Sequence, residues 1–178
     1  SGFLARSNLK AEEFFFCLSN PKPHKNVEML VAAHRQAWVN GLCLPLVVNV
    51  PGPAQDGLIR IPELSTGQIA ALFGGARAYF FPSLYEGFGR SPLEALLQGT
   101  CPVVSDIPPH REVLAGVPEA EFLDPRSPTQ WVAAFHALSD SEKHLPSASS
   151  LQWIRTTYSP AALAKTMDSA YRKALEIL

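Results

Sequence analysis

Six short apolar runs punctuate the chain, at Glu13 to Ser19, Pro45 to Val50, Leu58 to Ile61, Ala78 to Phe81, Cys101 to Val104 and Glu121 to Leu123, and helical patterns fill most of the spaces between them. Several runs are apolar almost throughout, as strands are when both of their faces are covered. Strands that alternate with helices pair in parallel, because a parallel pair needs a crossover long enough to hold a helix. The expected fold is α/β: a Rossmann-like, three-layer α/β/α arrangement around a parallel sheet.

Helix boundaries carry their own chemistry. Asn26 precedes a stripe of Val27, Leu30, Val31, His34 and Trp38, and Asn40-Gly41 supplies a stop, which predicts a helix capped by Asn26. Ser65 with Gln68, Ser91 with Glu94, and Ser127 with Gln130 have the spacing of a capping box, and in the last two a proline follows the serine at the expected first helical position. From Ser159 onward, Leu163, Met167, Ala170, Tyr171, Ala174 and Leu178 recur at helical spacing, so a long amphipathic helix over 159–178 is expected to close the chain and to pack on something. Pro51 to Gly57 and Ser139 to Ser150 are rich in turn residues and read as surface loops. A length of 178 residues suits a single domain.

Composition removes several function classes. Apolar residues make up 47% of the chain and charged residues 17%, a globular balance that argues against disorder. The net charge of -1, with Lys and Arg scattered, lacks the basic footprint of a nucleic-acid binder. Cys17, Cys43 and Cys101 form no C-x-x-C spacing and are expected to be reduced and buried, which implies a cytoplasmic setting. No apolar run reaches the roughly 18 residues of a membrane span. The leading Ser1-Gly2 reads as a remnant of cloning, so the chain is expected to be a fragment of something longer.

The chemistry concentrates in Ser83 to Gly99, which follows the run Ala78 to Phe81 and leads into a helix. Ligands of open α/β sheets bind at the carboxyl ends of the strands, and this segment stands at such an end. Gly87 and Gly89 let the backbone approach a ligand, and the helix beginning near Pro92 aims free N–H groups and its positive dipole end at the same place, which suits a phosphate. Two readings of Glu94 stand side by side, as the partner of Ser91 in a capping box and as a ligand contact. Glu86, at a strand end with no evident structural partner, reads as functional rather than as a solvated loop charge.

These residues resemble a known family. Glu86 and Glu94, with seven residues between them, are similar to the E-x7-E signature of family 4 glycosyltransferases of the GT-B fold. Phe-Phe-Pro-Ser-Leu-Tyr-Glu-Gly-Phe-Gly, Leu-Glu-Ala, Gly-Thr-Cys-Pro-Val-Val-Ser-Asp, Arg-Glu-Val and an early Pro-His-Lys-Asn follow the family's order and spacing. The likeness runs from about Glu13 to the final helix and covers the C-terminal, donor-binding half of such enzymes; the N-terminal acceptor-binding half is absent from it. The resemblance implies a retaining transfer of a sugar from a nucleotide-diphosphate donor without a bound metal or other cofactor, in bacterial polysaccharide synthesis. Peripheral association of the full-length protein with the inner face of the membrane goes with that setting.

Carried over residue by residue, the resemblance puts Glu94 on the ribose hydroxyls, Glu86 against the donor sugar, and the N–H groups of Gly87, Phe88 and Gly89 on the sugar and diphosphate. Lys25 matches a cation that neutralises the diphosphate, so Glu86 and Lys25 are the catalytic candidates. Two departures stand out. Asn20 occupies a place where many relatives carry arginine, which leaves Lys22 or Arg90 to supply that charge, and Arg90-Ser91 replaces the more usual Leu-Pro. His24 and His110 read as structural or rim residues, because no second ligand stands at metal spacing. The base is expected to be read near Arg60 to Leu64. Two rival readings are a nucleotide-sugar-binding or scaffolding domain without transfer activity, and a sugar-nucleotide epimerase of related architecture.

Overall fold

The computed structural model describes residues 2–175. All six expected strands form, the first four trimmed, the fifth shifted by one residue and the sixth with its expected bounds: β1 (Phe15–Cys17), β2 (Leu46–Val48), β3 (Leu58–Arg60), β4 (Tyr79–Phe81), β5 (Pro102–Ser105) and β6 (Glu121–Leu123). Every pairing between these strands is parallel, and the order across the sheet is β3-β2-β1-β4-β5-β6. The order reverses between β1 and β4, where Phe16 lies opposite Tyr79. A crevice opens at such a reversal beyond the carboxyl ends of the strands.

Side chains of successive strand residues leave on opposite faces, so the two halves of each apolar run serve different cores. Phe14, Phe16, Val47, Tyr79, Phe81 and Val104 enter one cluster, while Phe15, Cys17, Leu46, Val48, Phe80 and Val103 enter the other. The second cluster is closed by α2 (Val27–Val39) and α6 (Pro128–Asp140), with Phe80 stacked on Phe135 at 4.3 Å between ring centres. The first is closed by α1 (Gly2–Arg6), α3 (Thr66–Gly75), α4 (Arg90–Leu97), α5 (Pro108–Val113) and α7 (Ala148–Thr157). This is the expected α/β/α sandwich.

The capping chemistry differs from its expectation in three places. Ser65 and Gln68 do make the complete reciprocal box. Asn26 sits at the start of α2 in a left-handed conformation without a side-chain cap, and its Nδ2 instead donates to the Pro125 carbonyl at 3.0 Å. Helix α4 begins at Arg90 with Gly89 as its cap, which places Ser91 inside the first turn and rules out the Ser91–Glu94 box. Helix α6 starts at Pro128 as expected, yet Ser127 makes no cap: its Oγ pairs with Thr129 Oγ1 at 3.1 Å, and the Gln130 side chain accepts from the Asp124 N–H.

Three other expectations change. Cys43 is exposed, whereas Cys17 and Cys101 are buried. The stretch Ser139 to Ser150 is a loop only in its middle, since α6 runs to Asp140 and α7 begins at Ala148. The closing helix α8 (Pro160–Leu175) forms, but Leu163, Met167 and Tyr171 of its stripe are exposed in this chain, and Leu178 lies outside the described residues. Among the described residues no helix is long and apolar enough to cross a membrane.

Candidate functional site

Two loops meet where the strand order reverses. The first leaves β1 and passes through Ser19, whose N–H donates to Asn49 Oδ1 at 2.6 Å, then tightens into a 3-10 turn over Pro23–Lys25. The second leaves β4 and runs through Ser83 to Gly89 into α4. The Leu84 N–H donates to the His24 carbonyl at 2.8 Å, so the backbones of the two loops are stitched together. The His24 carbonyl makes this contact.

That stitch brings Lys25 to Glu86. Lys25 Nζ donates to Glu86 Oε1 at 2.6 Å, with side chains 16% and 11% exposed, and Ser83 Oγ donates to the same oxygen at 2.8 Å. Glu86 therefore has structural partners, contrary to the expectation that it stands alone. The signal for Ser83 is in the sequence, since Ser83 and Glu86 have Ser-x-x-Glu spacing one loop ahead of the pair read as a box. Lys25 Nζ also lies 5.5 Å from the centre of the Phe81 ring, within cation–π range.

Leu18, Lys25, Phe81, Glu86, Phe88, Gly89, Arg90, Ser91 and Glu94 line one open cleft of about 500 Å³. Size does not distinguish it, because a groove of about 530 Å³ lies along α2 and another of about 580 Å³ beside Arg77 and Lys143. Convergence of carboxylate, ammonium, guanidinium and a free helix start does. Gly89 caps α4 at φ +83 with no side-chain cap, so the first N–H groups of the helix remain open toward the cleft. Arg90 and Glu94 are exposed there.

Two of the expected residues fall outside this cleft. Asn20 is exposed, accepts from the Lys22 N–H at 3.1 Å, and lines a neighbouring cavity of about 350 Å³ with Asn26, Val50 and Pro51. Gly87 is exposed, and a Cβ there would meet nothing within 4 Å. Leu18, Phe81 and His110 were not read from sequence as site residues. Leu18 and Phe81 could have been shown only by their strand-end positions, and His110, in α5, by none.

Burial shifts the titration of two groups near the cleft. Burial pushes the Cys17 thiol up to about 12, against the opposing charge of Lys25, so Cys17 is a core residue and not a nucleophile. Burial lowers the His110 pKa below its ordinary value, partly offset by a bond to the Ser105 carbonyl. Arg60, expected near the base, donates to the Val50, Pro51 and Pro53 carbonyls and holds the loop after β2.

Comparison with known proteins agrees with this fold. The chain is 28% identical over 135 residues to the O-antigen chain mannosyltransferase RfbU of Salmonella typhimurium, a match that takes in 69% of the chain and 37% of the enzyme. The chain thus spans little more than a third of that relative. It superposes on an alpha,alpha-trehalose-phosphate synthase (UDP-forming) from Burkholderia vietnamiensis with a TM-score of 0.76, at 11% identity over 96% of this chain and 47% of the other. An E. coli trehalose-6-phosphate structure bound with UDP-2-fluoro glucose gives 0.75 at 12% identity over 95% and 46%. These structures share the GT-B architecture, of which this sandwich is one half. The family model for glycosyl transferases group 1 matches residues 53–170, and the chain belongs to that family.

Proposed function

We propose that the cleft holds the donor, a nucleotide-diphosphate sugar, and that this chain is the donor-binding half of a retaining hexosyltransferase acting in bacterial polysaccharide synthesis. The observation that carries the reading is the Lys25–Glu86 pair, drawn from two loops across the sheet reversal and set beside the uncapped start of α4. The likeness to an O-antigen mannosyltransferase supports a mannosyl donor and a polysaccharide acceptor.

In this reading the diphosphate lies against the first N–H groups of α4 and against Lys25. An ammonium has three donors, and Glu86 takes one, so Lys25 can bind phosphate without releasing its partner. Glu86 has a second carboxylate oxygen free to accept from sugar hydroxyls, and Glu94 accepts from the vicinal ribose hydroxyls. Arg90 supplies the second cation in place of the arginine that Asn20 replaces.

The bond from the anomeric carbon to the diphosphate oxygen breaks, and its electron pair stays on that oxygen. The acceptor oxygen bonds to the same face of the carbon and yields its proton to the departing phosphate. Lys25 and the oriented N–H groups stabilise the charge that develops on the leaving group, and the reading calls on no metal. The other half of the full-length protein holds the acceptor.

Titration calorimetry of this chain with GDP, UDP and ADP tests the assignment. One of the three is expected to bind, and Glu94→Ala to weaken it. Failure of all three to bind, or an unchanged affinity in Glu94→Ala, refutes the site.

A further inference from the structure

Among the described residues three buried side-chain polar atoms have no hydrogen-bond partner, and two of them, Ser105 Oγ and His110 Nε2, lie at the end of β5 and in α5. Protein interiors rarely leave such atoms unpaired, and an apolar ring would fill the space of His110 without that penalty. A histidine here points to a hydrogen bond that forms only when a ligand binds.

The ring's chemistry is fixed by its other nitrogen. His110 Nδ1 lies 2.8 Å from the Ser105 carbonyl oxygen, which can only accept, so Nδ1 carries the proton and Nε2 of the neutral ring is a lone-pair acceptor. Burial favours that neutral form. The ring sits against Phe81 with centres 5.2 Å apart and is 1% exposed. Its Cδ2–Nε2 edge faces the cap of α4: a Cβ at Gly89 would lie 3.4 Å from Cδ2 and 3.5 Å from Nε2. The acceptor is thus one contact away from a left-handed turn whose following N–H groups are uncapped.

We propose that His110 is a positioning residue of the donor site: its ring props the turn at Gly89, and its Nε2 accepts a hydrogen bond from a glycine-loop N–H when a diphosphate binds, which turns the neighbouring N–H groups of α4 onto the phosphate oxygens. This rests on the reading of the cleft as a nucleotide-sugar site. His110 acts through the loop and touches no reacting atom.

The test compares GDP, UDP and ADP with the corresponding monophosphates by calorimetry on the whole chain. Wild type is expected to favour the diphosphate of whichever base binds. In His110→Phe, which keeps an aromatic ring but has no acceptor, that preference is expected to fall by about tenfold, while monophosphate affinity and melting temperature hold. His110→Gln, whose side-chain amide reaches the Nε2 position, is expected to restore most of the preference, and His110→Asn is not. An undiminished preference in His110→Phe, or an equal loss for mono- and diphosphate, overturns the proposal. Should His110→Phe fail to fold, the Gln and Asn variants decide together: a preference kept in Gln and lost in Asn supports the proposal, and one kept in both, or lost in folded Gln protein, overturns it. Wild type that binds none of the six ligands refutes the cleft reading and the proposal with it, whereas normal wild-type binding with an indifferent His110 refutes the proposal alone.

Discussion

Glu86 and Glu94 stand on either side of Gly89, yet the protein treats them differently. Glu86 is 11% exposed at its side chain and its Oε1 accepts from both Lys25 and Ser83. Glu94, one turn into α4, is exposed and has no hydrogen bond or ion pair at its side chain among the described residues. The loop side of the cleft is assembled before any ligand arrives, and the helix side is left open. A buried charge needs its partner in place beforehand, because desolvation without one is disfavoured, while an exposed carboxylate can wait in water.

The largest effect should come from breaking the assembled side. Glu86→Ala leaves Lys25 without its partner, and the expected loss is about 3 kcal/mol of folding stability in urea unfolding. Lys25→Ala strands the carboxylate in the same way. If the pair is one unit, the double variant costs clearly less than the sum of the singles. Additive losses would mean that the 2.6 Å contact carries no coupling, and the contrast between the two glutamates would vanish.

Next in size is the turn that separates them. Gly89 has φ +83, and a Cβ there would approach Phe81 to 3.3 Å, so Gly89→Ala should lose about 1 to 2 kcal/mol from the left-handed conformation together with that crowding. Gly87→Ala meets nothing within 4 Å and has no positive φ, so its stability should change by no more than about 0.5 kcal/mol. Equal losses at the two glycines would show that the α4 cap does not depend on the prop beneath it.

Glu94→Ala probes the open side. Stability should stay within about 0.5 kcal/mol, since no protein contact is lost. Affinity for the best nucleoside diphosphate should fall about tenfold. The 2′,3′-dideoxy form of that nucleotide should lose nothing further in the variant, because it lacks the hydroxyls from which Glu94 accepts.

Much of the frame was legible in the sequence, because a strand covered on both faces has to be apolar and the six runs are. Their pairing order was not, since parallel register is set by how helices pack above the sheet. Caps were the least legible level. Asn26 has the right side chain for a cap but donates across to Pro125, and Ser91 has the right spacing but sits inside a helix that Gly89 already began. In both cases a tertiary contact or an adjacent left-handed residue overrode a local signal. The glutamates are legible in their loop and helix pattern and Lys25 through the family resemblance; that Lys25 and Glu86 touch each other is not, because 61 residues separate them. His110 reads from sequence as a structural or rim residue, since nothing in a sequence says that one nitrogen will be bonded and the other orphaned.

The smallest effect should be a pH dependence that belongs to the assembled side and its scaffold. His110 and His34 both have pKa values lowered from 6.5, in each case chiefly by burial and partly offset by a backbone carbonyl, of Ser105 and Leu44 respectively. The unfolded chain therefore binds more protons than the folded one just below that value. Stability from these rings is complete above 6.5 and declines as pH falls through the window beneath it. Urea unfolding between about pH 7 and pH 5 should show this decline. In His110→Phe the slope should lessen, and with His34→Gln added it should largely disappear. Below that window a separate decline is expected from Glu119: burial opposes its ionisation, but bonds from Ser147 and Ser150 outweigh burial and hold its pKa at about 2, so that stability is lost as pH drops from 4.5 toward 2. Glu119→Gln should flatten only this lower step. An upper slope that survives removal of both histidines would show that the protons enter elsewhere than at His110 and His34.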